Sequence, residues 1–152
     1  MDKIRMAALV AALLSTAGGT LGQGNTLEDL FYAIHQREAE GRVGVIDGYN
    51  DGGAALGPMQ IHKEYWIDSE VAGKYQDCVN LEYSKRVMLK YWERHCPKAL
   101  ESLDFQTLAR IHNGGPTGHE RNSTVKYWTG NKMLNGKWKK GIRCYLKERV
   151  RR

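Results

Sequence analysis

Apolar residues recur at the spacing of an α-helix in four parts of the chain. The first stripe is Leu27, Leu30, Phe31 and Ile34; the later ones are Leu81, Met88, Tyr91 and Trp92, then Phe105, Leu108, Ala109 and His112, then Val125 and Trp128. Residues three or four apart share one face of a helix, so each stripe predicts an amphipathic helix with that face against a core. The chain is therefore predicted to be mainly helical.

Capping and helix-breaking residues delimit these helices. Thr26 followed by Asp29 predicts a capping box at the start of the first helix, and Gly41 is predicted to end it. Proline at position 97 stops the second helix, and the run Asn-Gly-Gly-Pro at 113–116 stops the third. Asn122 or Ser123 is predicted to cap the fourth.

Segment 42–57 has a different composition from the rest of the chain. It contains five glycines together with Asp47, Asn50 and Asp51, and it shows no apolar periodicity. That composition favours turns or a short irregular hairpin. We therefore predict a single domain of mainly α (α+β) class, in which a glycine-rich loop or small β-hairpin forms a cleft against the helices.

Residues 1–22 have the pattern of a removable leader. Two basic residues precede an apolar run from Met6 to Leu14, and small residues follow. This pattern is typical of a secretory signal peptide, cut after Ala17 or, as we prefer, after Gly22. Residues 23–152 are then the mature domain, secreted or, in a Gram-negative bacterium, periplasmic. We expect no membrane span, because the apolar run is shorter than the about 20 residues that a transmembrane helix needs.

Positive charge is concentrated in the C-terminal tail, residues 132–152. The chain has a formal net charge of +6, and this tail holds nine Lys and Arg against one Glu, a balance of +8 that leaves −2 for the rest. Such a tail favours anionic polymers, including wall teichoic acids, lipid headgroups and nucleic acid; the alternative is a solvated helix face. No nucleic-acid-binding motif occurs, so nucleic acid is not expected as a partner.

The three cysteines, Cys78, Cys96 and Cys144, allow one disulfide. The segment between Cys78 and Cys96 is predicted to be a helix of about 14 residues, whose two ends lie roughly 20 Å apart. That distance is too long for a disulfide between these two cysteines. Cys144 is therefore expected to pair with one of the other two, unless that helix is broken. The five histidines show neither an HExxH pattern nor paired CxxC spacing, so we predict no metal and no cofactor.

Two glutamates end the first predicted helix, and the helical angle separates them. Glu38 projects about 40° from Ile34, within the apolar stripe, whereas Glu40 projects about 240° away, toward solvent. Lost hydration and the negative end of the helix dipole both raise a carboxyl pKa, as a general acid near neutral pH requires. Glu38 is thus a candidate acid; the alternative is a side chain whose stem packs while its head reaches water. The candidate second carboxyl group is Asp47 or Asp51.

Three further stretches stand out in the chain: LGPMQIHKEYWIDS at 56–69, ARIHNGGPTGH at 109–119 and STVKYW at 123–128. They resemble motifs of the invertebrate-type (destabilase-like) lysozymes, in particular their bacterial, cysteine-poor relatives, and they occur in the family's order. The resemblance implies a lysozyme-like α+β fold. It also implies a muramidase, a glycoside hydrolase that cleaves the β-1,4 linkage between N-acetylmuramic acid and N-acetylglucosamine in bacterial peptidoglycan.

The resemblance also implies roles for individual residues. The family's catalytic Glu stands as far from its motif Gln as Glu38 stands from Gln60, although the family's Glu-Ser-Gly context is Glu-Ala-Glu here. The family's catalytic Asp aligns with Asn50; we prefer Asp51, one position on, with Asp47 as the alternative. The implied sugar-binding residues, with core packing as the alternative for Trp66 and His112, are Gln60, Tyr65, Trp66, His112 and Asn113.

Two other functions remain open from the sequence. A lytic transglycosylase would act on the same substrate if no second acid reached the sugar. A non-catalytic, cationic wall-binding or antibacterial protein would act through the basic tail. We expect a monomer whose partner is bacterial peptidoglycan, with anionic wall polymers as a second partner of the tail. Some relatives also hydrolyse isopeptide bonds, which the resemblance permits here.

Overall fold

Helices dominate the part of the chain that this computed structural model describes, residues 25–46 and 54–151. The α-helices are α1 (Leu27–Ala39), α2 (Lys63–Ser69), α3 (Leu81–His95), α4 (Pro97–Glu101), α5 (Phe105–Gly114), α6 (Val125–Thr129) and α7 (Ile142–Val150). Short strands form two antiparallel hairpins, β1 (Ala55–Leu56) with β2 (Ile61–His62) and β3 (Gly130–Lys132) with β4 (Trp138–Lys140). The predicted mainly α, α+β class is confirmed. The predicted leader and segment 47–53 lie outside the described residues.

Helix α1 begins at the predicted capping box. The Thr26 hydroxyl accepts the backbone N–H of Asp29 at 3.2 Å, and the Asp29 carboxylate accepts the backbone N–H of Thr26 at 2.8 Å. Such a cap stabilises a helix by about 1 kcal/mol. At the other end Glu40 and Gly41 both adopt positive φ, 54° and 77°, and this left-handed pair ends the helix.

The core lies where α1, α3 and α5 meet. Phe31 of α1 stacks on Trp92 of α3, with ring centroids 5.7 Å apart, and both side chains are almost fully buried. Complete burial of one large apolar side chain is worth roughly 1.5–3 kcal/mol. The apolar stripes that predicted the first three helices therefore face one shared core. Helix α7 covers α1 from outside, where Arg149 pairs with Asp29 at 2.8 Å.

The first hairpin begins in the glycine-rich segment 42–57, for which a turn or short hairpin was predicted. Its strand β1, Ala55–Leu56, pairs with β2, Ile61–His62. The second hairpin was not predicted. Residues 130–140 form a second hairpin, followed by α7, so the predicted tail is a folded hairpin and helix. A strand such as Trp138–Lys140, with two lysines, lacks the apolar alternation that would mark it in sequence.

The predicted cap of the fourth helix is wrong. Asn122 and Ser123 belong to a 3₁₀ turn, Asn122–Thr124, that leads into α6, and no side chain caps α6. Thr124 instead donates its hydroxyl to the carbonyl oxygen of Gly118 at 2.7 Å, which closes the turn after α5. Helices α2, α4 and α7 were not predicted, because each is short or lacks a clear apolar stripe.

The predicted disulfide is also wrong. All three thiols are free. Cys78 and Cys96 are buried at opposite ends of α3, as the helical spacing required, and Cys144 lies on α7 with its sulfur 3.8 Å from the carbonyl oxygen of Thr129. Tertiary packing thus places Cys144 against the end of α6 and away from both possible partners. None of the described helices is long and apolar enough to cross a membrane.

Candidate active site

The last turn of α1 presents Glu38 beside the core. The residue is partly buried, whereas Glu40, two positions later, is exposed. Burial of the Glu38 carboxyl raises its pKa, and this effect outweighs the neighbouring groups that lower it. The prediction from the helical angle, a raised pKa for Glu38 and solvent exposure for Glu40, is confirmed.

Tyr127 of α6 faces Glu38. Its hydroxyl is buried and has no hydrogen-bonding partner of strict geometry among the described residues. It is nevertheless close enough to the Glu38 carboxyl to interact with it, which lowers the pKa of Glu38. Burial, and then the charge of Glu38, raise the pKa of Tyr127 well above its usual range. Tyr127 therefore stays protonated and can donate to the carboxylate form of Glu38.

Two cations border Glu38, and hairpin β3–β4 supplies one of them. Arg37 is only 8% exposed, and its guanidinium donates to the carbonyl oxygen of Lys140 at 2.7 Å and to Oδ1 of Asn131 at 3.2 Å. These bonds tie the hairpin to α1. Lys139 precedes Lys140 in β4 and pairs with Asn131 across the hairpin. Burial, with the nearby charge of Arg37, lowers the pKa of Lys139. Both cations act on Glu38 to lower its pKa.

Aromatic side chains form a wall that continues from Tyr127. His112 lies 6.4 Å from Tyr127 and 5.6 Å from Tyr65 between ring centroids, and Tyr65 stacks on Tyr91. Burial lowers the pKa of His112 to about 4, and the nearby His62 contributes to this shift. Two buried polar atoms of this wall have no hydrogen-bonding partner among the described residues: Tyr65 Oη and His112 Nδ1. Buried polar atoms normally pair, so an unpaired set beside a carboxyl group indicates a place for a polar ligand.

Gln60 holds the loop that leads to the candidate second acid. Its Nε2 donates to the carbonyl oxygens of Ile46, at 3.1 Å, and of Gly57, at 2.9 Å. The backbone N–H of Gly57 donates to the same Ile46 oxygen at 2.9 Å. These bonds hold together the two sides of segment 47–53, which contains Asp47, Asn50 and Asp51 and lies outside the described residues. The Gln60 amide therefore closes this loop.

Trp66 and Asn113 are less central to this site. The Trp66 indole N–H donates to the Tyr83 hydroxyl at 2.8 Å, and the ring packs against the core. Tyr83 also lines a separate surface depression that does not include Glu38. Asn113 is exposed near the end of α5, next to His112. Among the described residues, no group of His, Cys, Asp or Glu is placed to hold a metal ion.

Three residues beside Glu38 were not among the predicted site residues: Arg37, Tyr127 and Lys139. Tyr127 lies within the STVKYW stretch, so that motif was a usable signal for it. Arg37 and Lys139 carry no local signal. Arg37 donates to acceptors 94 and 103 positions away in the chain, and Lys139 lies in the same distant hairpin. Only the docking of the hairpin on α1 brings them to the carboxyl group.

Known proteins similar to this chain are lysozymes of bivalve molluscs. A lysozyme from Meretrix lusoria is 32% identical over 87 residues, which cover 56% of this chain and 71% of that protein. An invertebrate-type lysozyme from Ruditapes philippinarum is 35% identical over 79 residues, and lysozyme 1 from Crassostrea virginica is 39% identical over 76 residues. These matches cover 51% and 49% of this chain, and the chain spans only 58% and 41% of those two proteins. No family model matches the chain.

Solved structures agree with these relatives. The crystal structure of Tapes japonica lysozyme superimposes with a TM-score of 0.58 at 29% identity, over 66% of this chain and 84% of that one. The inhibitor-bound lysozyme from Meretrix lusoria superimposes with a TM-score of 0.55 at 30% identity, over 74% of this chain and 89% of that one. Sequence identity and shared fold together place this chain in the invertebrate-type lysozyme family.

Proposed function

We propose that this protein is a muramidase that cleaves the β-1,4 linkage between N-acetylmuramic acid and N-acetylglucosamine in bacterial peptidoglycan. The observation that carries the proposal is the Glu38 carboxyl group, whose pKa is raised by burial although the residue is still partly open to the surface. A general acid for glycosidic cleavage must hold its proton near neutral pH and must reach the substrate. Membership of a lysozyme family supports the same activity.

Glu38 donates its proton to the glycosidic oxygen as the bond from that oxygen to the anomeric carbon breaks. Positive charge then develops on the sugar, and Glu38 is left as a carboxylate. The groups that lower the pKa of Glu38 are Tyr127, Lys139, Arg37 and His62, and the same groups stabilise this carboxylate. Burial thus favours the reactant acid, while the neighbours limit the free energy that its ionisation requires.

The second carboxyl group comes from segment 47–53, with Asp51 preferred and Asp47 as the alternative. It either attacks the anomeric carbon or activates a water molecule on the opposite face of the ring. Gln60 supports this proposal, because its amide holds the loop closed at Ile46 and Gly57. Gln60 then acts as a positioning residue rather than through direct contact with the sugar.

Sugar hydroxyl and amide groups pair with the unpartnered atoms of the aromatic wall. Tyr65 Oη and His112 Nδ1 are the candidate partners, and Asn113 stands exposed beside them. Trp66 offers at most a ring face, because its N–H is already donated to Tyr83.

Replacement of Glu38 by Gln tests the acid, and Glu40→Gln is the matched control. We expect Glu38→Gln to lose peptidoglycan hydrolysis by at least about a hundredfold, because general acid catalysis typically contributes this much. Glu40→Gln should retain it, since Glu40 is exposed. Turbidity clearing of a suspension of bacterial cell walls measures both. Equal activity of the two variants would refute the assignment.

Product analysis separates hydrolysis from lytic transglycosylation. A hydrolase releases new reducing ends, whereas a transglycosylase leaves anhydromuramic ends. Asp51→Asn and Asp47→Asn, compared in the same digestion, identify the second acid. If both variants remain fully active and the products are anhydro ends, the transglycosylase alternative replaces our proposal.

Two further parts of the proposal have direct tests. A protein that acts by charge alone would show no wall hydrolysis, and its Glu38→Gln variant would kill bacteria as well as the parent does; that pair of results would make the non-catalytic alternative correct. We also propose export through the leader 1–22 and action as a secreted or periplasmic monomer. N-terminal sequencing of the exported protein should begin at residue 23.

A further inference from the structure

The tip of hairpin β3–β4 carries a cluster of exposed apolar side chains. Leu134 is fully exposed, and Met133 and Trp138 are 43% and 60% exposed. A single exposed apolar residue is ordinary, whereas a cluster on one projecting turn indicates an interaction surface. The site chemistry at Glu38 does not use these three residues.

An ordered turn holds this tip in place. The backbone N–H of Met133 donates to the carbonyl oxygen of Lys137 at 2.8 Å, and the backbone N–H of Gly136 donates to that of Met133 at 2.9 Å. The Lys137 N–H donates to Oδ1 of Asn135 at 3.0 Å. At its base, Arg37 bonds both strands of the hairpin. Leu134 therefore projects from a braced hairpin, so its exposure is a property of the fold.

Lysines flank the apolar tip. Lys132 and Lys137 are exposed and form no ion pair with any described residue, whereas Lys140 pairs with Glu148 at 2.6 Å. Residues 132–152 carry a balance of +8 in total, from nine basic residues and one acidic residue. The apolar tip is thus flanked by the two exposed lysines Lys132 and Lys137.

This combination fits the surface of a bilayer that contains anionic phospholipids. Leu134 and Met133 match the acyl region, Trp138 suits the headgroup level, and the lysines match phosphate groups. A polyanion such as teichoic acid would satisfy the lysines but leave Leu134 in water. The exposed Leu134 therefore favours a lipid surface over a soluble polymer.

We propose that hairpin β3–β4 is a docking element that inserts Met133 and Leu134 into an anionic lipid surface. The proposal does not depend on glycan cleavage. Lys139, which lies near Glu38, is five positions from Leu134 in the same hairpin. Five residues span at most roughly 18 Å, so docking would hold the candidate active site close to the membrane.

Co-sedimentation of the protein with vesicles tests the docking. We expect binding to vesicles of phosphatidylcholine with phosphatidylglycerol, and little binding to phosphatidylcholine alone. Leu134→Ser should weaken binding about tenfold, because it removes the transfer of one leucine side chain. Lys132→Gln and Lys137→Gln should each weaken it about fivefold. Ile67→Ser is the matched control, since Ile67 of α2 is 57% exposed and lies outside the hairpin.

Quenching by bromine-labelled lipid shows which residue enters the bilayer. We expect quenching of tryptophan fluorescence that is lost in Trp138→Phe. Absence of vesicle binding, or equal binding by Leu134→Ser and the parent protein, would overturn the proposal. Binding of both proteins to teichoic acid but not to vesicles would overturn it too, as would a dimer in sedimentation velocity that Leu134→Ser dissociates without any lipid binding.

These measurements distinguish a failure of the proposed catalysis from a failure of the proposed docking. Glu38→Gln should keep full vesicle binding, and Leu134→Ser should keep full hydrolysis of a soluble chitooligosaccharide. A protein that binds vesicles but cleaves no glycan would refute only the proposed function.

Discussion

Glu38, the proposed general acid, lowers the stability of the folded protein at neutral pH. Burial raises the pKa of its carboxyl in the folded state above the value in the unfolded chain. The folded state then binds more protons than the unfolded state above the unfolded pKa, so the free energy of unfolding falls as pH rises toward the folded pKa. At neutral pH Glu38 is therefore less favourable for folding than a neutral side chain would be. Strained or destabilising groups of this kind are common at functional sites.

Tyr127 sets how far the Glu38 pKa rises. Its hydroxyl lowers that pKa, so Tyr127→Phe should raise the pKa further and keep the acid protonated to higher pH. We expect the alkaline limb of the pH profile of kcat/KM to move to higher pH. The measurement is wall hydrolysis across the neutral and alkaline range.

Tyr65→Phe is the control for this prediction. It removes another buried hydroxyl of the same aromatic wall, but Tyr65 is not among the groups that act on Glu38. Its activity profile should keep the alkaline limb where it is. The same shift in both variants, or a downward shift in Tyr127→Phe, would show that Tyr127 does not tune the acid.

At the scale of elements, the turn between β1 and β2 explains why its motif contains glycine. Gly57 has a φ of 76°, and a Cβ placed there would lie 1.9 Å from the carbonyl oxygen of Cys78. That oxygen is backbone, so it cannot turn aside as a side chain would. The close approach lets the 3₁₀ turn Tyr75–Val79 pack against the hairpin.

Gly57→Ala and Gly44→Ala form a matched pair. Gly44 also has a positive φ, 92°, but a Cβ there meets nothing within 4 Å. Gly44→Ala should lower the free energy of unfolding by about 1–2 kcal/mol, from backbone strain alone. Gly57→Ala should lower it by at least about 2 kcal/mol more, or prevent folding, because the clash adds to the strain. Urea denaturation compares them, and equal losses would contradict the packing described here.

Hairpin β3–β4 contributes to the candidate site although it lies about a hundred positions from Glu38 in the sequence. Arg37 clamps it to α1 through acceptors 94 and 103 positions away. Lys139 thereby reaches Glu38, while the tip with Leu134 points into solvent. One small element thus contributes to the proposed catalysis and to the proposed docking.

At the scale of the whole molecule, the buried His112 should lower the free energy of unfolding in mild acid. Burial, followed by the nearby charge of His62, lowers its folded pKa to about 4, below the usual value of 6.5. Between these values the unfolded chain binds more protons, so the free energy of unfolding falls as pH decreases from about 6.5 to about 4. The loss should be on the order of 3 kcal/mol, measured by urea denaturation at about pH 7 and about pH 4.5.

His112→Gln should remove most of this fall in the free energy of unfolding between about pH 7 and about pH 4.5. His119→Gln is the control, because the His119 side chain is 40% exposed. If His112→Gln and the parent protein lost stability in parallel between the two pH values, His112 would not be the group responsible.

Much of the helical framework could be predicted from sequence. The stripe that contains Phe31, the capping box at Thr26 and the helix stop after Gly114 are local signals, since a helix depends on residues three or four apart. The same angle placed Glu38 toward the core and Glu40 toward solvent. Errors arose where local patterns were weak, as in the lysine-rich strand Trp138–Lys140 and the predicted caps Asn122 and Ser123.

Sequence by itself determined α1, α3 and α5, the turn-forming composition of segment 42–57 and the side of α1 on which Glu38 lies, because residues a few positions apart govern these features. Tertiary structure alone decided that Cys144 stays unpaired, that Gln60 closes a loop, and that Tyr127 and Lys139 meet Glu38. Those outcomes depend on how α1, α6 and the hairpin pack together. Packing joins residues about a hundred positions apart, and no pattern within a few residues encodes such contacts.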